Sequence, residues 1–179
     1  MTNAKKMIMT ALFIALGIVL PMAFHAIPNA GRIFLPMHIP IFLCGMICGF
    51  PYGLICGIIT PLLSSLLTGM PAAAMLPSML CELAAYGTVS ALLMYYVRIS
   101  NVYVKLYTSM IGAMLFGRLF YGLLNAFIFN AGGYSMQIWL SAAFVMALPG
   151  IAIQLLTIPT IVLVLQKARL IPMIGTELD

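Results

Sequence analysis

Glu82 is the only acidic residue before Glu177, in a chain that is 64% hydrophobic and 6% charged. Holding a carboxylate inside so apolar a stretch costs roughly 2.5–3.5 kcal/mol on insertion scales, which asks for a functional reason. Arg118 lies in the same predicament. Arg118, Tyr121 and Asn125 follow one another at spacings of three and four, which align them on one helix face. Glu82 and Tyr86 hold the same relation on another helix. Two such faces offer a carboxylate, a guanidinium, two phenols and an amide, the groups that bind a small polar solute. The guanidinium fork suits an anionic group such as a carboxylate. The alternative is a buried Glu82–Arg118 ion pair that only fixes helix packing, and it leaves Tyr121 and Asn125 without evident purpose.

These residues must be carried by membrane helices. A mean hydropathy of +1.18 over the whole chain exceeds what a soluble domain of this size buries in its own core. Uncharged stretches run from Met7 to Gly31, Ile33 to Cys81 and Leu119 to Gln166, and one span needs about 20 apolar residues. The first of them, preceded by Lys5 and Lys6, has the outline of a signal peptide. It lacks a small-residue cleavage site and more spans follow, so it reads as a retained helix.

Turn formers divide the chain into six hydrophobic helices within a single domain, residues 1–179. Helix one covers Ala4 to Phe24, followed by a turn-rich stretch holding His25, Pro28, Asn29 and Gly31. Helix two is short, Met37 to Gly49. Helix three covers Tyr52 to Leu67, helix four Pro77 to Val97, helix five Val102 to Phe129 and helix six Ser135 to Ala168. Asn130-Ala131-Gly132-Gly133 makes the turn between the last two. The expected fold is therefore an all-α integral membrane bundle.

Lys5, Lys6, Arg98, Lys105, Lys167 and Arg169 all fall on one side if the amino terminus is inside. Short cytoplasmic loops retain such residues, so both termini are expected in the cytoplasm. Only Arg32 breaks the pattern. In this topology Glu82 lies about 8 Å below the outer end of helix four, and Arg118 about 24 Å up helix five, at 1.5 Å per residue. Both then fall at one level in the outer half of the membrane.

The outer segments around Met37, His38 and Pro40, and from Gly69-Met70-Pro71 to Pro77-Ser78, are apolar and nearly uncharged, suited to folding over a pocket. His38 therefore joins the candidate substrate-binding residues Glu82, Tyr86, Arg118, Tyr121 and Asn125. His25 and His38 are too few, without nearby acids, to form a metal site. Cys44, Cys48, Cys56 and Cys81 carry no C-x-x-C pairing and read as small packing residues. Gly45, Gly49, Gly53 and Gly57, like Ala11 and Ala15, recur at a spacing of four that permits close backbone approach. The glycines read as packing within the chain, whereas on helix one an external partner is equally plausible.

A net charge of +5 is scattered at helix ends rather than gathered in a stripe, which argues against nucleic acid. P-loop, H-E-x-x-H and G-x-S-x-G motifs do not occur, so neither ATP binding by a P-loop nor an enzyme of those types is expected, and no cofactor is implied.

Several runs resemble the substrate-specific S components of energy-coupling factor (ECF) transporters: Ala11-Leu12-Phe13-Ile14-Ala15, Phe34-Leu35-Pro36-Met37-His38-Ile39-Pro40, the stretch from Pro61 to Pro71, and Cys81-Glu82-Leu83-Ala84-Ala85-Tyr86-Gly87. The resemblance implies a six-helix protein of the bacterial plasma membrane in which Ala11 and Ala15 dock on a transmembrane coupling subunit driven by two ATPases. It further implies capture of a water-soluble vitamin from outside under two gating loops, and release inside by toppling in the bilayer. Among substrates pantothenate comes first, then a vitamin B6 form or a pyrimidine precursor of thiamin. Two other classes remain. A stand-alone secondary transporter calls for inverted repeats, of which only the local echo of residues 44–49 and 52–57 is present. A structural subunit would bind no solute.

Overall fold

The computed structural model describes residues 1–24, 30–129 and 135–172. The expected turns at His25 to Asn29 and at Asn130 to Gly133 lie outside the described residues. Among those described, every regular element is helical: α1 (Asn3–Ala23), α2 (Ala30–Phe34), α3 (His38–Cys48), α4 (Tyr52–Thr68), α5 (Leu76–Tyr96), α6 (Val102–Leu124), α7 (Met136–Leu140) and α8 (Leu148–Lys167). Local chemistry sets the boundaries. The Thr2 hydroxyl accepts from the Lys5 amide at 3.4 Å, and the Asn101 side chain accepts from the amides of Tyr103 and Val104. Each satisfies a donor that the first helical turn leaves unpaired. Gly69 closes α4 in the left-handed conformation, φ 72°, which glycine adopts without steric cost.

Two expected helices are subdivided. Helix five widens after Leu124 into a π-helical turn, Asn125–Phe129. There the Asn125 side-chain amide donates to the Tyr121 carbonyl at 2.9 Å and competes with the backbone register. The expected helix six is α7, a second π-helical turn (Ser141–Val145) and α8. Pro149 stands in the first turn of α8, where its missing N–H is harmless but a continuous helix through it would clash one turn back. Sequence reading also took α2 for loop.

Among the described residues, four helices are long and apolar enough to cross a membrane: Asn3–Ala23, Leu76–Tyr96, Val102–Ile128 and Leu148–Lys167. The apolar helices α3 and α4 are shorter. Packing explains how α3 manages at 11 residues. All of them except Ile39 are buried, enclosed by α1, α4, α5 and α8. The outer helices turn large apolar side chains outward instead, among them Ile8, Leu66, Leu156 and Val164.

Backbones approach most closely where α3, α4 and α5 meet. A Cβ added to Gly87 would stand 2.7 Å from the Gly53 carbonyl carbon, and one added to Gly53 would stand 2.8 Å from the Gly45 Cα. Gly45, Gly53 and Gly57 thus serve contact with α5 inside the chain, in a medium where close packing replaces hydrophobic drive; Gly49 instead ends α3 at φ 77° and takes no part in that contact among the described residues. Cys44, Cys48 and Cys56 are buried and free beside it, and the Cys44 thiol lies 3.6 Å from the Thr10 hydroxyl of α1.

Candidate functional site

Three helices bring four of the sequence-selected side chains to one buried junction. Glu82 and Tyr86 stand one turn apart on α5, and the Tyr86 hydroxyl donates to Glu82 Oε1 at 3.1 Å. Arg118 reaches across from α6, its Nη1 3.7 Å from the same oxygen. His38, the first residue of α3, places Nε2 3.9 Å from it. All four are at most 8% exposed. The agreement in depth between Glu82 and Arg118 expected from helix rise is realised as contact.

The contacts are not equivalent. Only the Tyr86 bond has hydrogen-bond length, and the Arg118 and His38 approaches stand beyond it. Neither ring nitrogen of His38 has a hydrogen-bond partner among the described residues. A buried polar group left so costs about 1–3 kcal/mol. With a neutral imidazole the junction is formally uncharged, one carboxylate against one guanidinium, and holds donors in excess.

Local structure explains the convergence. Leu35 adopts φ 50°, a left-handed conformation that costs a branched side chain roughly 1–2 kcal/mol, and it turns the chain from α2 into α3. The His38 amide then bonds the Leu35 carbonyl at 3.1 Å. The Tyr86 ring packs edge-on to His38, centroids 5.3 Å apart, and against Phe42 at 5.0 Å. On its other side lies Gly117, where an added Cβ would fall 2.6 Å from the ring. Tyr86 is thereby wedged between α3 and α6, directing its hydroxyl at Glu82.

Tyr121 and Asn125 continue the Arg118 face of α6 by one and two turns; Asn125 is buried, and its amide is turned onto its own helix at Tyr121. Ala11 and Ala15 are exposed on α1, next to Leu12 at 55% exposure. His25 lies outside the described residues. Two contributors escaped sequence reading. Leu35 carries no compositional sign of its backbone conformation. Trp139, the single tryptophan, donates its indole N–H to the Arg118 carbonyl at 3.1 Å; its uniqueness in an apolar segment was the available signal.

A family model described as ECF transporter, substrate-specific component matches residues 5–162. The chain belongs to this family. Comparison with curated proteins gave no match, and comparison with solved structures gave none. As an S component, the protein is a multi-pass membrane protein of a transport family rather than an enzyme family, and its family works on a small-molecule substrate together with an ECF coupling module.

Proposed function

We propose that this S component captures a small, water-soluble vitamin or related molecule at the junction of His38, Glu82, Tyr86 and Arg118, with Tyr121 and Asn125 extending the pocket along α6. The observation that carries the proposal is the buried His38 imidazole, without a hydrogen bond among the described residues, beside a carboxyl group and a guanidinium. A ligand that offers an acceptor to His38 and Arg118 must also bring a donor for Glu82, or the carboxylate repels it. The amino end of α3, with its partial positive charge, favours the acidic end of such a ligand. Phe42 and the Tyr86 ring supply an apolar wall. Pantothenate joins a carboxylate, an amide and hydroxyls in one short chain and is the first choice; a vitamin B6 form and the pyrimidine precursor of thiamin follow.

The chain is one domain over residues 1–179 that crosses a bacterial plasma membrane six times with both termini inside. α1, α4, α5 and α8 surround the short α3, α6 packs outside α5 and α8, and α2 and α7 lie at the outer surface. Ala11 and Ala15 meet a transmembrane coupling subunit driven by two ATPases, and toppling of the whole body releases the ligand inside.

A second reading is supported by the 3.7 Å approach of Arg118 to Glu82: a packing pair that binds nothing. Thermal stabilisation of the purified, detergent-solubilised protein against a panel of water-soluble vitamins separates the two. A ligand-specific rise lost in both Glu82→Ala and Arg118→Ala is expected. Folded protein that responds to none of the panel would leave the packing pair standing.

A further inference from the structure

The chain's single tryptophan is attached to the helix that carries Arg118. Its indole Nε1 donates to the Arg118 carbonyl at 3.1 Å, an oxygen that in a continuous α-helix also accepts from the amide four residues on. The ring can come so near because residue 122 is glycine. An added Cβ there would stand 2.7 Å from the indole Cδ1 and 2.9 Å from Cε2. Phe144 braces the indole from behind, centroids 5.6 Å apart at 89°. The segment bearing Trp139 and Phe144, α7 with its π-helical turn Ser141–Val145, is followed by α8; α6 passes into the other π-helical turn, Asn125–Phe129.

At its far end Arg118 meets Glu82, among the described residues, without a hydrogen bond. Its Nη1 stands 3.7 Å from Glu82 Oε1, too long for a hydrogen bond. The placement of the guanidinium therefore depends on the helix turn from which it springs, and the indole fastens that turn to α7. Restating the site as guanidinium and carboxyl alone leaves this fastening without a role.

We propose that Trp139 is a positioning residue for Arg118. Its indole hydrogen bond, admitted by the notch at Gly122, sets where the guanidinium meets the acidic group of the ligand. The proposal rests on the substrate-binding reading of the site. Trp139 does not itself touch the ligand in this account, and the segment after α6 becomes part of the site's selectivity.

The test uses the full chain in detergent, pantothenate, and panthenol, its alcohol analogue without the carboxylate. Trp139→Phe keeps the ring and removes the N–H. It is expected to weaken pantothenate binding about fivefold, the worth of one ordinary hydrogen bond, with panthenol binding unchanged and the ligand-free melting temperature held. Loss of affinity for both compounds alike would mark general loosening and overturn the proposal, as would unchanged affinity for both. Gly122→Ala keeps the tryptophan and fills its notch; emission of this sole indole should move to longer wavelength and become more open to acrylamide quenching. Unchanged emission would remove the latch. If the wild type binds neither compound, the pantothenate assignment fails first, and the positioning role falls with it whatever the emission shows.

Discussion

At His38, stability and binding are expected to pull in opposite directions. Both ring nitrogens are buried without a hydrogen bond among the described residues, so His38→Leu removes two polar atoms that burial penalises. The ligand-free melting temperature should hold or rise by about 2–4 °C per kcal/mol recovered, while vitamin-dependent stabilisation disappears. A fall in melting temperature together with retained binding would show that the imidazole serves packing instead. Glu82 and Arg118 behave as a coupled pair. Arg118→Ala strands a buried carboxylate, and in soluble proteins breaking such a pair costs about 3–5 kcal/mol. Glu82→Ala/Arg118→Ala should therefore melt above Arg118→Ala alone, and a double-mutant cycle with additive losses would contradict the contact. Glu82, Tyr86 and Arg118 were legible in the sequence because charge stands out in an apolar run and helix rise converts position to depth. The seat of His38 was not, since it depends on Leu35 turning left-handed, which no pattern of residue types announces.

Among the elements, the meeting of α4 with α5 is the most exacting. Gly87→Ala drives a methyl group into the Gly53 backbone, and backbone cannot swing aside as a side chain can. Overpacking of this kind costs about 1–3 kcal/mol, read as a lower melting temperature. The variant should also lose vitamin binding, because Gly87 adjoins Tyr86 and lies five residues beyond Glu82. Gly31→Ala, with nothing among the described residues within 4 Å of the added atom, is the matched control and should be silent. Sequence reading placed α1, α3, α4 and α5 within a residue or two, because each is an apolar run closed by Gly, Pro or a capping side chain. It ran α7 and α8 together and extended α6 through Phe129. Hydropathy sees no difference between an α and a π register when both are apolar, and the competition of Asn125 for the Tyr121 carbonyl appears only in three dimensions.

On the scale of the whole molecule, the proposed partner face and the proposed ligand junction are separate. Ala11 and Ala15 are exposed on α1, whereas the charged junction lies among α3, α5 and α6. Ala11→Trp/Ala15→Trp should abolish co-purification with the coupling subunit and leave vitamin binding by the isolated chain unchanged. Loss of binding as well would mean that α1 communicates with the site. The proposed topology is open to labelling: a cysteine introduced at Ser135 should react with a membrane-impermeant maleimide in whole cells, and one at Ser100 only after permeabilisation. The short central helix has a further consequence. At 11 residues, α3 extends about 16 Å within a hydrocarbon layer about 30 Å thick, and its first residue is already His38. Leu35, Pro36 and Met37 lie buried directly ahead of it. Each turn added ahead of His38 would lengthen α3 by about 5.4 Å and displace those buried residues, so where α3 starts and where His38 meets Glu82 are one and the same structural choice.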